Sequence, residues 1–436
     1  MHYPRMLVRV SSSVVRLLFV FLALISAVGF AYSGIRNALA QHQAGLNTRE
    51  GFERAIVLET DDARNWYLLG RYWQYSLDFP DARRAISDYQ RALSLEPSSA
   101  DAWSDLAAAY ETESDLSAAR DAFLHAQQAY PQSPQVAWRY GNFLLRRGDT
   151  DSAFSEIKEA VARDPKLGAA ALALALRVQP DFHIALDRVI PPSAQAFLSV
   201  VDSLSDQHQT DEALVAWSRL AALSPHFPMR ESFPLTDALL QKRQVADAQR
   251  VWNDALAFAA VLPPPGEPGS LIWDGGFESD VRDGGFAWRF PSVPLGVQIT
   301  LDRREKHSGA RSVRLAFDGL RNVDFHDLCA FVAVQPSTSY LFSAWARTDS
   351  LSTDQGVRFA LTPVGDSRYV ESFTPDVRGS QPWTQLSFAW NSPPDAHALQ
   401  ICVTRRPSAK FDSKIRGLAW LDDLALVPQS AEPAPQ

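Results

Sequence analysis

Along residues 85–165 the apolar positions fall at helical spacing and repeat at a fixed step. Ala85, Ala119 and Ala153 stand 34 residues apart. So do Tyr89, Phe123 and Ile157, then Ala92, Ala126 and Ala160, then Pro97, Pro131 and Pro165. Leu106 and Tyr140, with Ala107 and Gly141, keep the same step earlier in each unit. A fixed period of roughly 20–50 residues predicts stacked units, each burying its apolar face only against its neighbours. Two antiparallel helices per unit fit this chemistry. The small residues let the helices approach closely, and Phe123 and Ile157 fill the space between them. Each proline lies just past a second helix, where its missing N–H is harmless and propagation stops.

The small-residue, aromatic and terminal-proline positions resemble the tetratricopeptide repeat, which implies an all-α solenoid over residues 44–260. Regular hairpins are expected at 100–131 and 134–165, preceded by one at 63–97 with three extra residues around Tyr75 to Pro80. Phe52, Ala55, Ile56 and Leu58 form an apolar stripe, and Trp66 follows Thr60 at the interval at which Trp103 follows Pro97. Residues 44–60 therefore read as the second helix of an incomplete first hairpin. After Pro165 the pattern weakens through 167–190. It then returns with Ala213, Trp217 and Pro225, and again with Ala248, Trp252 and Ala255, for about six hairpins in all. Repeat counting points Tyr67, Arg71, Ser104, Ala108, Trp138 and Asn142 into a concave groove suited to a protein partner's extended peptide or helix. Tyr67 and Ser104 break the Lys/Asn/Arg carboxylate-gripping set of some members, so that clamp is not transferred.

Pro263-Pro264-Pro265 within residues 261–270 favours a stiff, extended linker. Beyond it the period changes to two. Strands are expected at 271–278, 286–290, 297–303, 312–318, 329–334, 339–348, 357–364, 383–390, 398–405 and 418–427, an all-β sandwich over 271–428. Residues 429–436 read as a disordered tail. Trp273-Asp-Gly-Gly-Phe-Glu278, Trp288, His307-Ser-Gly309 before Ser312-Val-Arg-Leu315, and Trp420-Leu-Asp-Asp-Leu424 resemble the jelly-roll carbohydrate-binding modules of galactose-binding-like fold. The resemblance implies a structural calcium ion at Glu278 and Asp422, completed by backbone carbonyls near Asp274 and His307; no other cofactor is expected. Relatives of this fold bind glycans, and the aromatic faces and polar groups that a sugar would use are offered by Trp345, Arg347, Trp390, Asn322, Asp324 and His326, with Trp383 and Tyr369 as further aromatics. Strand aromatics also fill sandwich cores, the reading that Trp288 and Trp420 receive outright. Cys329 and Cys402, 73 residues apart and the only two cysteines, are either a disulfide or two buried thiols.

The N-terminus changes the setting. Arg5, Arg9 and Arg16 lie in a cytoplasmic segment, 1–16, ahead of an uncharged apolar run. That run, 17–35, reads as a bacterial inner-membrane anchor with the bulk of the chain outside the cytoplasm. Cleavage near Ser33 or at Ala38-Leu39-Ala40 is the alternative. A net charge of −8 without a basic cluster speaks against a nucleic-acid partner. No Gly-x-Ser-x-Gly, His-Glu-x-x-His, phosphate-binding glycine loop or Cys-x-x-Cys occurs, and acid pairs such as Asp61-Asp62 are sequence neighbours, so no enzyme is expected. The expectation is a membrane-tethered envelope adaptor that holds a protein partner and a polysaccharide module, linked to exopolysaccharide or surface-glycan assembly. A pure protein adaptor and an accessory subunit of a polysaccharide enzyme are the alternatives.

Overall fold

The computed structural model describes residues 13–290, 296–365 and 369–429. The readings placed on residues 1–12 and 430–436 lie outside these. The chain divides into two compact units, Met1–Leu167 and Gly168–Gln436.

The N-terminal unit is a stack of helical hairpins. Its helices are α1 (Ser13–Gly45), α2 (Arg49–Leu58), α3 (Ala63–Tyr75), α4 (Ala82–Leu95), α5 (Ala100–Thr112), α6 (Leu116–Ala129), α7 (Pro134–Arg146) and α8 (Thr150–Arg163). Each helix from α2 to α8 starts on a Thr, Asp or Ser whose side chain accepts a first-turn N–H, which satisfies a donor that the helix leaves free. The repeating positions do the packing expected of them: Ala85, Ala119, Ala153, Tyr89, Phe123 and Ile157 are all buried. A Cβ on Gly70 would stand 2.8 Å from the Tyr89 ring, and one on Gly141 2.8 Å from Ile157, so close helix approach requires glycine there. The recurring tryptophans brace the hairpin junctions. Trp66 Nε1 donates to Thr60 O at 2.8 Å and Trp103 Nε1 to Pro97 O at 2.9 Å.

The first hairpin is complete. The apolar helix does not end at residue 35 but runs unbroken to Gly45, and its last turns supply the missing first helix. Ala40 and Ala44 are buried in one cluster with Phe52, Ala55 and Ile56 of α2. Arg36 grips Glu59 with two hydrogen bonds, at 2.9 and 3.0 Å.

The C-terminal unit begins with α9 (Gly168–Leu176), α10 (Phe182–Val189), α11 (Ala194–Asp206), α12 (Thr210–Ala221), α13 (Phe233–Gln241) and α14 (Val245–Phe258). The sandwich follows: β1 (Val297–Asp302), β2 (Ser312–Asp318), β3 (Phe325–Ala333), β4 (Ser339–Leu351), β5 (Arg358–Val364), β6 (Ser372–Phe373), β7 (Gly379–Asn391), β8 (Ala398–Arg405) and β9 (Arg416–Pro428). One sheet has the order β1-β2-β9-β4-β7 and the other β3-β8-β5-β6. Phe342, Phe359, Ile401 and Leu421 are among the residues of the core between them.

Residues 271–278 and 286–290 are turns rather than strands. Two Asp-Gly-Gly-Phe runs explain this, because Asp274 and Asp283 adopt positive φ and their carboxylates take backbone N–H groups nearby. Cys329 on β3 faces Cys402 on β8 directly, and the two are joined as a disulfide.

The proline-rich stretch is not a free spacer, since the sandwich seats directly on α13 and α14. A Cβ on Gly284 would collide with the Phe233 ring, and one on Gly285 with Trp252. Asp237 of α13 accepts Gly285 N at 2.8 Å and Arg289 Nη2 at 2.6 Å.

Candidate functional site

The 303–311 loop between β1 and β2 is drawn across the open face of the five-stranded sheet by two carboxylates. Asp422 of β9 is fully buried, and its Oδ2 accepts His307 N at 2.8 Å and Ser308 N at 3.2 Å. Glu278 Oε1 accepts Ala310 N at 2.6 Å and Arg311 N at 3.2 Å. Gly309 sits at φ +57, where a Cβ would run into that same oxygen. Burial pushes the Asp422 and Asp274 carboxyls up to about 6, against the hydrogen bonds that hold them down.

So placed, His307 lies flat on Trp345 of β4, ring centroids 3.9 Å apart and planes 14° from parallel. Its Nδ1 is 2.6 Å from Asp423 Oδ2. Trp383 of β7 meets His307 edge-on at 5.7 Å. Beside this stack opens a cleft of about 680 Å³, floored by Ser343, Gln385 and Ser387 and rimmed by Pro265 to Glu267. An aromatic platform with hydroxyl and amide groups around it suits a sugar ring, which offers an apolar face and a rim of hydroxyls.

Of the expected glycan residues, Trp345 and Arg347 lie on this face. Arg347 turns away, pairing with Glu305 at 2.5 Å over the Trp420 ring. Trp420 is buried beneath it, as expected, with its Nε1 donating to Asp302 Oδ2 at 3.0 Å. Trp390 is a correction: it is 5% exposed and packs in the sandwich core, tilted against Tyr340. Asn322, Asp324 and His326 are a second correction, since they belong to the β3 end of the other sheet. There Asn322 Oδ1 accepts from Arg405 and Ser408, and His326 faces Glu371 at 3.4 Å. His307, Asp423, Gln385 and Ser387 were not among the expected residues. The only signal for them was His307-Ser-Gly309 and Asp422-Asp423, valued as fold markers rather than as a surface.

For calcium, the donor types at Glu278 and Asp422 fit. Gly276 leaves open the space beside them, since a Cβ there would stand 3.7 Å from Asp423 Oδ1 and 3.8 Å from Asp422 Oδ1. Two side chains fall short of the six or more oxygens the ion takes, however. Among the described residues no three His, Cys, Asp or Glu side chains are placed to hold a metal.

A second site candidate lies in the N-terminal unit. Asp105 of α5 is buried and accepts hydrogen bonds from Tyr67 OH at 2.9 Å, Tyr75 OH at 3.4 Å and Arg139 Nη2 at 2.5 Å. Arg71 stands 3.7 Å away, over the Tyr67 and Tyr75 rings. Burial and the Asp105 charge together push the Tyr67 hydroxyl far above its ordinary range. Among the other expected groove residues, Ser104 is buried, and its hydroxyl has no partner among the described residues. Ala108 and Trp138 are half-buried, and Asn142 donates to Trp138 O. The centre of the surface, Asp105 with Arg139, is the residue next to the counted pair Ser104 and Trp138.

No family model and no curated protein matches the chain. Solved structures similar to parts of it include YrrB, "a TPR protein with an unusual peptide-binding site", 17% identical over 49% of this chain and 95% of its own, with a TM-score of 0.25. A family 16 carbohydrate-binding module is 16% identical over 36% of this chain and 99% of its own, TM-score 0.26. The xylan-binding domain of family 22 is 17% identical over 38% and 99%, TM-score 0.26.

Proposed function

We propose that the chain is a non-enzymatic, membrane-tethered envelope adaptor that binds a glycan in the Trp345 cleft and a protein partner on the Asp105 surface. Exopolysaccharide or surface-glycan assembly is the setting this combination suits. The observation that carries the reading is the cleft itself, with the Trp345 and His307 stack beside a polar floor of Ser343, Gln385 and Ser387 on an open sheet face. Titration of the full chain in detergent with neutral polysaccharide fragments tests it. Trp345→Ala is expected to weaken binding at least about tenfold, the scale on which removing one central aromatic acts, with the fold retained. No binding to any glycan, or equal binding by the variant, would sink the reading.

The tether in this proposal is an uncleaved anchor. α1 is long and apolar enough to cross a membrane. Supporting retention, its last turns pack on α2 through Ala40 and Ala44, and Arg36 pairs with Glu59. Cutting at Ala38-Leu39-Ala40 would strip Arg36 from that hairpin. The intact mass of protein recovered from membranes is expected to include residues 17–33; a mass starting at Gly34 or at Gln41 would refute the anchor.

Calcium on Glu278 and Asp422 belongs to the same proposal, supported by the Asp422 and Asp423 oxygens beside Gly276 and needing backbone carbonyls to complete the set. An ion at hundredfold excess over its Kd stabilises by about 2.7 kcal/mol, so melts in calcium are expected several degrees above melts in chelator. Coincident melts would remove the ion from the account.

A further inference from the structure

The charge lining the cleft has one sign. Glu267, Glu278 and Asp423 reach it, His307 is the only basic side chain, and no Lys or Arg is among the described residues that line it. The nearest cations are turned elsewhere: Arg347 to Glu305, and Arg311 to Asp280 and the Phe277 carbonyl. His307 is itself held against Asp423, which also accepts from Ser308 Oγ at 2.7 Å. Glu267 is different from the other two acids. It is exposed on the rim, and its carboxylate has no partner among the described residues, so its charge is available to a ligand.

An acidic sugar would bring like charge into a concave site whose walls concentrate the field. A protonated amine would meet the Glu267 carboxylate on the rim, with the Asp423 charge behind His307 and Ser308 adding to the same field. Resting on the reading of the cleft as a glycan site, we infer that it selects amino-bearing saccharides, that is, glycans with free glucosamine-type amines, and rejects uronic-acid chains. Neutral glycans fall between the two, bound by stacking and hydroxyl contacts alone. A calcium ion on Glu278 and Asp422 would offset the charge of the acids around it and leave Glu267, on the rim, as the acid that reads the amine.

The full chain in detergent, titrated at mildly acid pH with hexasaccharides of glucosamine, N-acetylglucosamine and galacturonic acid, tests this. The amine form is expected to bind about tenfold tighter than its acetylated counterpart, one desolvated charge contact's worth, and the acid form not at all. Added salt is expected to erase most of that difference, and Glu267→Gln to shrink it by weakening the amine form more than the acetylated form. Equal binding of amine and acetylated forms, or preference for the acid form, would overturn the inference while leaving the glycan reading standing. Binding of none of the three would overturn both. A hexalysine peptide is the control: affinity equal to that of the amino sugar would mean that charge alone is read, and would overturn the saccharide class.

Discussion

Replacing Asp105 with alanine is expected to cost the N-terminal unit about 2–3 kcal/mol, below the range for a fully buried ion pair because Arg139 is a third exposed and Arg71 half exposed. The carboxylate is the only acceptor shared by Tyr67, Tyr75 and Arg139, and Arg71 leans on the same charge. Without it the Arg139 guanidinium and two hydroxyls lose their shared acceptor, and water reaches the half-exposed Tyr75 and Arg71 edge of the site but not the buried Asp105 position itself. Asp105→Asn keeps the shape and one acceptor, so its loss is expected to be smaller. Tyr67→Phe removes a single hydrogen bond and is expected to cost about 1 kcal/mol. Denaturant melts followed by circular dichroism give all three values. An alanine variant within about 1 kcal/mol of wild type would show that solvent replaces the network, and the surface would lose its claim to a preset shape.

Gly284→Val with Gly285→Val is expected to detach the sandwich from α13 and α14. Both glycines lie against aromatic rings with no room for a side chain, and Gly285 also holds a positive φ of 54°. Overpacking of this kind costs about 1–3 kcal/mol per site, and the left-handed backbone adds to it for a β-branched residue. The Asp237 contacts to Gly285 and Arg289 would be lost with the shift, leaving a carboxylate that burial already pushes up without the arginine that opposes that push. Hydrogen exchange is the readout: faster exchange in α14 and around Trp273, with the β4–β9 ladder unchanged. Unchanged exchange in α14 would show that the helices and the sandwich are independent neighbours.

The hairpins were legible because their packing uses residues with one physical meaning each. Ala119 and Ala153 mark close contact, Pro131 and Pro165 mark an end, and Phe123 and Ile157 mark the filled gap. The completed first hairpin was not legible. Residues 36–45 mix Arg, Asn, Gln and His with alanines, so nothing in that composition says that two alanines meet α2. In the sandwich, alternation located most strands, yet it misread 271–278, where Asp274 with two glycines turns the backbone instead. Within β4, the buried Phe342, Ala344 and Ala346 put Trp345 on the opposite face, so its exposure could be read from parity. The same parity on β7 sends Trp390 inward with Leu386. Which sheet each strand joins is set by long-range pairing. Alternation carries no trace of it, and Asn322, Asp324 and His326 were therefore grouped with residues on another sheet. His307 reaches Trp345 only because Asp422, 115 residues away, holds its backbone.

Co-flotation tests the central claim most directly, with the full chain reconstituted in liposomes and a fluorescent polysaccharide added outside. Polysaccharide is expected to rise with vesicles carrying the wild-type chain and to stay below with vesicles carrying Trp345→Ala at equal protein load. Polysaccharide that rises equally with both, or with neither, would contradict a membrane-held chain that grips glycans through the Trp345 cleft.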